Sequence, residues 1–404
     1  RELTERRTIA SVPFGGRYRL IDFPLSNMVN SGISKVGVVT KSNFQSLMDH
    51  LGSGKAWDLS RKRDGLFFLP PFGKQDQDIS NSRIEALESI RHFLVTSKED
   101  YVLLSDCDIV CNIPYHDVVE THIHNQADIT AVYQHGIIPQ HMSEPTVYSV
   151  KENGALRDML IHPKVDGPCN YGLNMYVINR PLLIELIEDC VSRNMYNFNR
   201  DFIQRNMFQY RFYCYEFKGY SKVICSTQDY FQANMDLLDD KELDLYNIKK
   251  DWKIYTEDTL SKPQIIGEEA SVKNSLVTQG CIVNGDVTGS VLFNNVYIGE
   301  GAKVVGELGN KLKKITKAAN VLGITVIGAL IPSVVNAKFA YTFTQGEVSI
   351  AVQELADKIM PSLAPCLVVL LTYWLLGRKK MNSTRVTLLL VVLGILAFNL
   401  MIFA

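Results

Sequence analysis

Three long apolar runs close this chain: Ala318–Val335, Ile359–Leu376 and Val386–Ala404, each 18 or 19 residues long and nearly free of charge. About 20 apolar residues cross a bilayer as a helix, which satisfies every backbone polar group inside its own segment. The tail is therefore predicted to be all-α and transmembrane, with VTLLLVVLGILAFNLMIFA its clearest span. Gly323, Gly328 and Pro332 also suit the first run to a buried or re-entrant helix. Lys311–Lys317 (KLKKITK) precedes that run, and Arg378, Lys379, Lys380 and Arg385 separate the second from the third. Basic loops stay on the cytoplasmic side, so both clusters give one topology, with residues 338–357 and the C-terminus outside. Pro332, Pro361 and Pro365 break helices, and such breaks in a membrane need protein neighbours. Even read as a generic three-helix anchor, the tail wants a partner.

Chain averages hide this division. A hydrophobic content of 46% with 21% charged residues describes an ordinary globular protein. Forty-two Lys+Arg against 43 Asp+Glu leave a net charge of −1, so no basic excess exists to neutralise nucleic-acid phosphates. Up to about residue 230 short β-rich runs alternate with helical ones. Ser34–Thr40, Tyr101–Ser105, Asp128–Tyr133 and Met175–Ile178 read as buried strands; Leu25–Ser31, Ile84–Val95, Tyr115–Asn125 and Pro181–Cys190 read as helices. This alternation predicts an α/β domain with a mostly parallel sheet covered on both faces. Ligands of such sheets sit beyond the carboxyl ends of strands, which directs attention to Asp106, Cys107 and Asp108 after YVLLS.

A charged helical connector is expected over 231–262. After it, apolar or small residues recur six apart at Ala270, Leu276 and Ile282, then at Val296 and Ala302, among Gly, Asn and Ser. That period predicts a left-handed parallel β-helix over 263–304, truncated after few coils, with a hairpin array as the alternative. The eight cysteines, at 107, 111, 169, 190, 214, 225, 281 and 366, show no two-residue spacing and are read as reduced, buried thiols. His116, His122 and His124 lack companion ligands and are read as a solvated helix face rather than a metal site. The start at Arg1, without a signal peptide, reads as a cytoplasmic or truncated beginning.

The stretch VPFGGRYRLIDFPLSNMVNSGI at Val12–Ile33 resembles the ADP-glucose pyrophosphorylases (glucose-1-phosphate adenylyltransferases), as do Tyr101–Asp108, Asn174–Ile178 and YFQANMDL at Tyr230–Leu237. The resemblance implies a Rossmann-like nucleotidyltransferase domain over 1–230, followed by a left-handed β-helix. It also implies chemistry in which glucose 1-phosphate attacks the α-phosphate of ATP, with carboxylates holding Mg²⁺. Against that pattern the phosphate loop before Leu3 and Thr4 is missing, and Ile9 stands where the family has a lysine. Cys107 and Val223 stand on the two metal-binding Asp positions, His162 replaces a sugar-phosphate lysine, and NSRIEA at Asn81–Ala86 replaces G-T-A-D-A. A triphosphate without its cation loses the dominant electrostatic contribution to phosphoryl transfer. The chain thus resembles the catalytically defective GlgD-type subunit, which implies no catalytic residues, no metal, no cofactor and a competent pyrophosphorylase subunit as partner. Were the alignment shifted by one residue, Asp106 or Asp108 would serve and Mg²⁺ would be the cofactor. Gly15, Gly16, Arg17, Arg19 and Asp22 have two readings, contact with an anionic effector or a turn held by an Arg19–Asp22 pair; Asp106, Asp108 and His162 join them as residual ligand-binding candidates.

Residues 305–404 resemble the C-terminal part of the IID membrane component of the mannose/fructose/sorbose phosphotransferase system, through VLGITVIGALIPSVVNAK and LADKIMPSLAPCLVVLLTYWLLGRKK. This implies a IIC membrane partner, and a tail in the cytoplasmic membrane behind a cytoplasmic N-terminal part. Two partial families meeting at Lys303–Glu307 read as a chimera of two gene fragments, since domain boundaries normally fall in linkers.

Overall fold

Gly15 and Gly16, with φ of 56° and 80°, make the turn that pairs β1 (Pro13–Phe14) antiparallel with β2 (Tyr18–Arg19). Left-handed backbone of this kind strains side-chain-bearing residues, so two glycines in succession form the turn. In the computed structural model the described residues are 3–5, 7–40, 43–70, 82–165, 167–238, 252–257, 262–306, 342–345, 348–359 and 365. The chain divides into two units, Arg1–Gly306 and Glu307–Ala404.

After the hairpin come α1 (Asp22–Asn30), β3 (Lys35–Val39), α2 (Gln45–Leu51) and β4 (Gly65–Leu69), with β3 and β4 parallel. α3 (Arg83–Ser89) starts at a capping box in which the Ser82 hydroxyl accepts from Glu85 N while the Glu85 carboxylate accepts from Ser82 N. The single helix expected over Ile84–Val95 is two helices. Ser89 Oγ donates back to Ala86 O at 2.7 Å, local bonding that competes with the helix ladder, and α4 (Arg91–Thr96) restarts beyond Ile90.

There follow β5 (Tyr101–Leu104), β6 (Ile109–Cys111), α5 (Tyr115–His124), β7 (Ile129–Gly136), β8 (Thr146–Val150), β9 (Leu156–Ile161), β10 (Cys169–Asn179), α6 (Arg180–Ser192), β11 (Phe212–Glu216), β12 (Ser221–Val223) and α7 (Thr227–Asp236). The central sheet runs β11-β7-β10-β8-β9, and β5 also pairs with β10. The mostly parallel sheet is overturned: only β11–β7 is parallel here, while β10 is antiparallel to β5, β7 and β8, and β8 to β9. The connection from β8 to β9 turns at Gly154 (φ 80°) and is far too short for the crossover that parallel pairing demands. A register shift between Gly172 and Tyr176 lets one strand serve two neighbours, β8 at Tyr171 and β5 at Tyr176. Ala155 bridges antiparallel to Tyr213, and Cys214 N donates to Gly154 O at 2.8 Å, so the β8–β9 turn touches β11.

Both faces of this sheet are covered, as expected. Alternation along β10 sends Tyr176 and Ile178 to one face, against Ile84, Leu87, Leu183 and Ile187 of α3 and α6. Met175 and Val177 go to the other, with Tyr115 and Val118 of α5. Each fully buried aliphatic side chain contributes about 1.5–3 kcal/mol. His122 is no solvated residue. It is buried against the sheet, with Nδ1 2.8 Å from Thr130 Oγ1 and Nε2 3.0 Å from Asn179 Oδ1, and burial lowers its basicity.

The connector expected over 231–262 falls largely outside the described residues; α7 spans its first part and 252–257 are neither helix nor strand. Beyond it lie β13 (Ile265–Ile266), β14 (Ser271–Lys273), β15 (Leu276–Val277), β16 (Ile282–Val283), β17 (Asp286–Thr288), β18 (Val291–Leu292), β19 (Tyr297–Ile298) and β20 (Lys303–Val305). They form three parallel ladders visited in rotation: β13-β16-β19, β14-β17-β20 and β15-β18. Cys281, Val283, Val287, Leu292 and Ile298 fill the interior, with Ala270, Val296 and Ala302 packed against them. The expected apolar phase is partly wrong, since Ile282 points outward at 37% exposure while its neighbours Cys281 and Val283 are fully buried.

In the second unit β21 (Thr342–Gln345) pairs antiparallel with β22 (Val348–Ala351), and α8 (Val352–Ile359) follows. The tail is thus not all-α: Phe343, Val348 and Ile350, spaced by Thr and Ser, favour a pleated strand over a helix. The candidate spans 318–335, 359–376 and 386–404 lie outside the described residues apart from Ile359 and Pro365. Among the described residues no helix is long and apolar enough to cross a membrane.

Candidate functional site

The loop Ser105–Asp108 leaves β5 and enters β6. Ser105 Oγ sits 2.9 Å from the hydroxyl of Tyr115, which is buried at the start of α5. β6 pairs antiparallel with β12, placing Val223 opposite Ile109, and Ile224 N donates to Asp108 O at 2.7 Å. This ladder brings the segment around Val223 alongside the loop around Cys107. Two positions far apart in the chain meet at one place.

The side chains there are poorly suited to a divalent cation, which needs several anionic oxygens with free lone pairs. Cys107 packs against the core cluster that includes Leu25 and Leu47, and burial, reinforced by Asp108 and Asp106, holds its pKa far above the usual thiol range. Val223 is a buried hydrocarbon. Asp106 Oδ1 lies 3.4 Å from Arg83 Nη2. Burial, then the charge of Asp106, pushes the Asp108 carboxyl up to about 7, and its Oδ1 is buried without a hydrogen-bond partner. Among the described residues no group of three or more His, Cys, Asp or Glu side chains converges to hold a metal ion. The described cysteines are all free, and burial pushes the Cys111 thiol up to about 12.

Arg83 is the residue that reading the chain missed. The capping box sets it on the first turn of α3, where Nη2 donates to Asn174 O at 3.0 Å. Its guanidinium carbon lies 4.8 Å from the Phe198 ring centroid and 5.5 Å from that of Tyr176. The available signal was a charged residue appearing in NSRIEA.

The Val12–Ile33 motif is built differently. Gly15 N donates to Asn234 Oδ1 on α7 at 2.9 Å, and Tyr230 Oη donates to Pro13 O. Gly16 lies against the coil, so close that a Cβ there would meet Thr278 Cγ2 at 2.1 Å. Arg17 stands over the Tyr18 ring at 5.3 Å. Arg19 meets Asp22 through its backbone, N donating to Asp22 Oδ2 at 2.9 Å, whereas its guanidinium donates to Ser46 O and Oγ. Burial lowers the Arg19 pKa. Asp22 is fully buried, with Oδ1 2.6 Å from His50 Nε2, and His50 Nδ1 lies 3.8 Å from Glu257. Ile9 packs at the rim of a cluster with Val12 and Phe14. His162, exposed with φ 51°, ends β9 and donates its backbone N to Pro145 O. The structure therefore joins Cys107, Val223, Asp106 and Asp108 at one locus, and Arg19 with Asp22 at another.

Comparison with known proteins divides the chain in the same sense. The nucleotidyl transferase family matches residues 1–240, and the PTS system mannose/fructose/sorbose family IID component matches residues 286–403, beginning inside the parallel coil. A glucose-1-phosphate adenylyltransferase of Clostridium perfringens is 34% identical over 310 residues, covering 75% of this chain and 78% of the relative. One from Clostridium acetobutylicum is 36% identical over 304 residues, covering 74% and 79%. The glycogen biosynthesis protein GlgD of Bacillus subtilis is 33% identical over 304 residues, covering 75% and 78%.

Proposed function

Because the chain belongs to the nucleotidyl transferase family, among relatives that are glucose-1-phosphate adenylyltransferases, we propose that it serves glycogen biosynthesis as a non-catalytic subunit modulating a competent one. The observation that carries this reading is the donor set at the Ser105–Asp108 loop. A protonated thiol, an isopropyl group, a carboxyl raised to about 7 and a carboxylate already facing Arg83 leave little to hold Mg²⁺. The similarity to the glycogen biosynthesis protein GlgD favours a place in glycogen biosynthesis. The three parallel ladders support reading 263–304 as a short β-helix, whose exposed Ile265, Ile282 and Tyr297 would suit contact with a partner subunit.

The test is turnover. The purified full chain, given ATP, glucose 1-phosphate and Mg²⁺, is expected to form no ADP-glucose above background, and to change the rate or effector response of a competent subunit. ADP-glucose formed by the chain alone removes the proposal. The match of 286–403 to the IID component favours a second role for the tail, membrane association with a IIC partner. Detergent-dependent extraction together with that partner is its expected signature. Recovery without detergent or a IIC partner would exclude it.

A further inference from the structure

We propose that the Arg83 guanidinium is the resident cation of this site, filling with its own charge the place beside Asp106 and Asp108 that a divalent ion would take. Removing it then opens a divalent-cation site. A guanidinium cannot lose its proton in a protein and presents a rigid fork of donors. Here the fork is anchored on three sides: one nitrogen reaches Asn174 O and Asp106 Oδ1, and the plane meets the Phe198 and Tyr176 rings. The capping box at Ser82–Glu85 fixes the turn from which it extends. Asp108 supplies the second, independent observation, because its buried Oδ1 has no hydrogen-bond partner and is a lone pair left over for a cation. The charges of Asp106 and Arg83 both bear on that carboxyl, in opposite senses, so the three side chains form one electrostatic unit. A carboxylate held by a cation that cannot exchange, with the unpartnered Asp108 carboxyl beside it, forms a closed version of a metal site.

This inference rests on the non-catalytic reading, yet its test is separate. Manganese is titrated into the detergent-solubilised full chain and free Mn²⁺ is followed by electron paramagnetic resonance. The wild-type chain is expected to bind none tightly. Arg83→Met, which keeps an apolar stem against Phe198 and Tyr176, should bind one equivalent at least about tenfold tighter, as loss of a unit charge at contact distance dictates. Adding Asp108→Asn should abolish the gain, and Arg83→Lys, which retains a cation, should behave as wild type. Arg83→Gln serves where circular dichroism shows Arg83→Met unfolded. The proposal is overturned if wild type binds Mn²⁺ as tightly as the charge-removed chain, if a folded charge-removed chain gains nothing, or if the gain survives Asp108→Asn. ADP-glucose turnover by wild type would overturn the functional reading instead.

Discussion

Replacing Gly16 with alanine tests whether the glycine turn is a joint between the N-terminal hairpin and the parallel coil. Two costs add. Gly16 has φ 80°, and holding a residue with Cβ in left-handed backbone costs roughly 1–2 kcal/mol. The new methyl would also lie 2.1 Å from Thr278 Cγ2 and 3.3 Å from Leu292 O, an overpacking worth about 1–3 kcal/mol. Gly16→Ala should therefore destabilise the chain by roughly 2–5 kcal/mol. Thr278→Ser removes the opposing methyl but keeps the hydroxyl that donates to Leu292 O at 2.8 Å, and alone it should cost under about 1 kcal/mol. In the double variant the backbone cost and the 3.3 Å approach to Leu292 O remain while the 2.1 Å clash is gone, so the pair should recover about 1–3 kcal/mol relative to additivity. The assay is urea unfolding followed by fluorescence of buried Trp57, with Trp252 and Trp374 changed to Phe throughout. Strict additivity would mean that the two methyls never meet, and the docking of hairpin on coil would be refuted.

Asp108 is pushed from an ordinary 3.8 up to about 7 by burial, so the folded state favours its neutral form. Its stabilising contribution is complete at low pH and is lost as pH rises through about 7; pH-dependent melting of Asp108→Asn should lack that decline. His50→Leu removes one of two hydrogen-bond partners of the fully buried Asp22 carboxyl and should cost about 1–3 kcal/mol, measured by denaturant unfolding. Equal stability with wild type would mean that Asp22 needs no such partner. Ser82→Ala breaks the capping box and should cost about 1 kcal/mol, with faster amide exchange confined to the first turn of α3.

Much of the fold was legible because it is locally encoded. The apolar run Met175–Ile178 reads as a buried strand and is one, and the helices at Tyr115 and Pro181 lie where their apolar spacing places them. Pairing direction is not local. Nothing in Tyr101–Leu104 says that it will run antiparallel to β10, and the short strands β8, β9 and β11 declare themselves only through partners. Phase in the coil failed for a related reason: Cys281, Ile282 and Val283 are all apolar, and only the turn between strands decides which faces inward. At the site, Cys107 and Val223 were legible as residue types. Arg83 was not, because its role depends on the meeting of α3, β10 and the loop after β5.

The contact of Ala155 with Tyr213 has a consequence for self-association. It brings the start of β9, the last strand on one side of the sheet, to β11, the last on the other. Unpaired outer strands invite neighbouring molecules to add on, and proteins that leave them open tend to aggregate. By curling round until its margins touch, this sheet hides part of that temptation from other chains. The small Gly154 turn thus shields one point of an otherwise open margin.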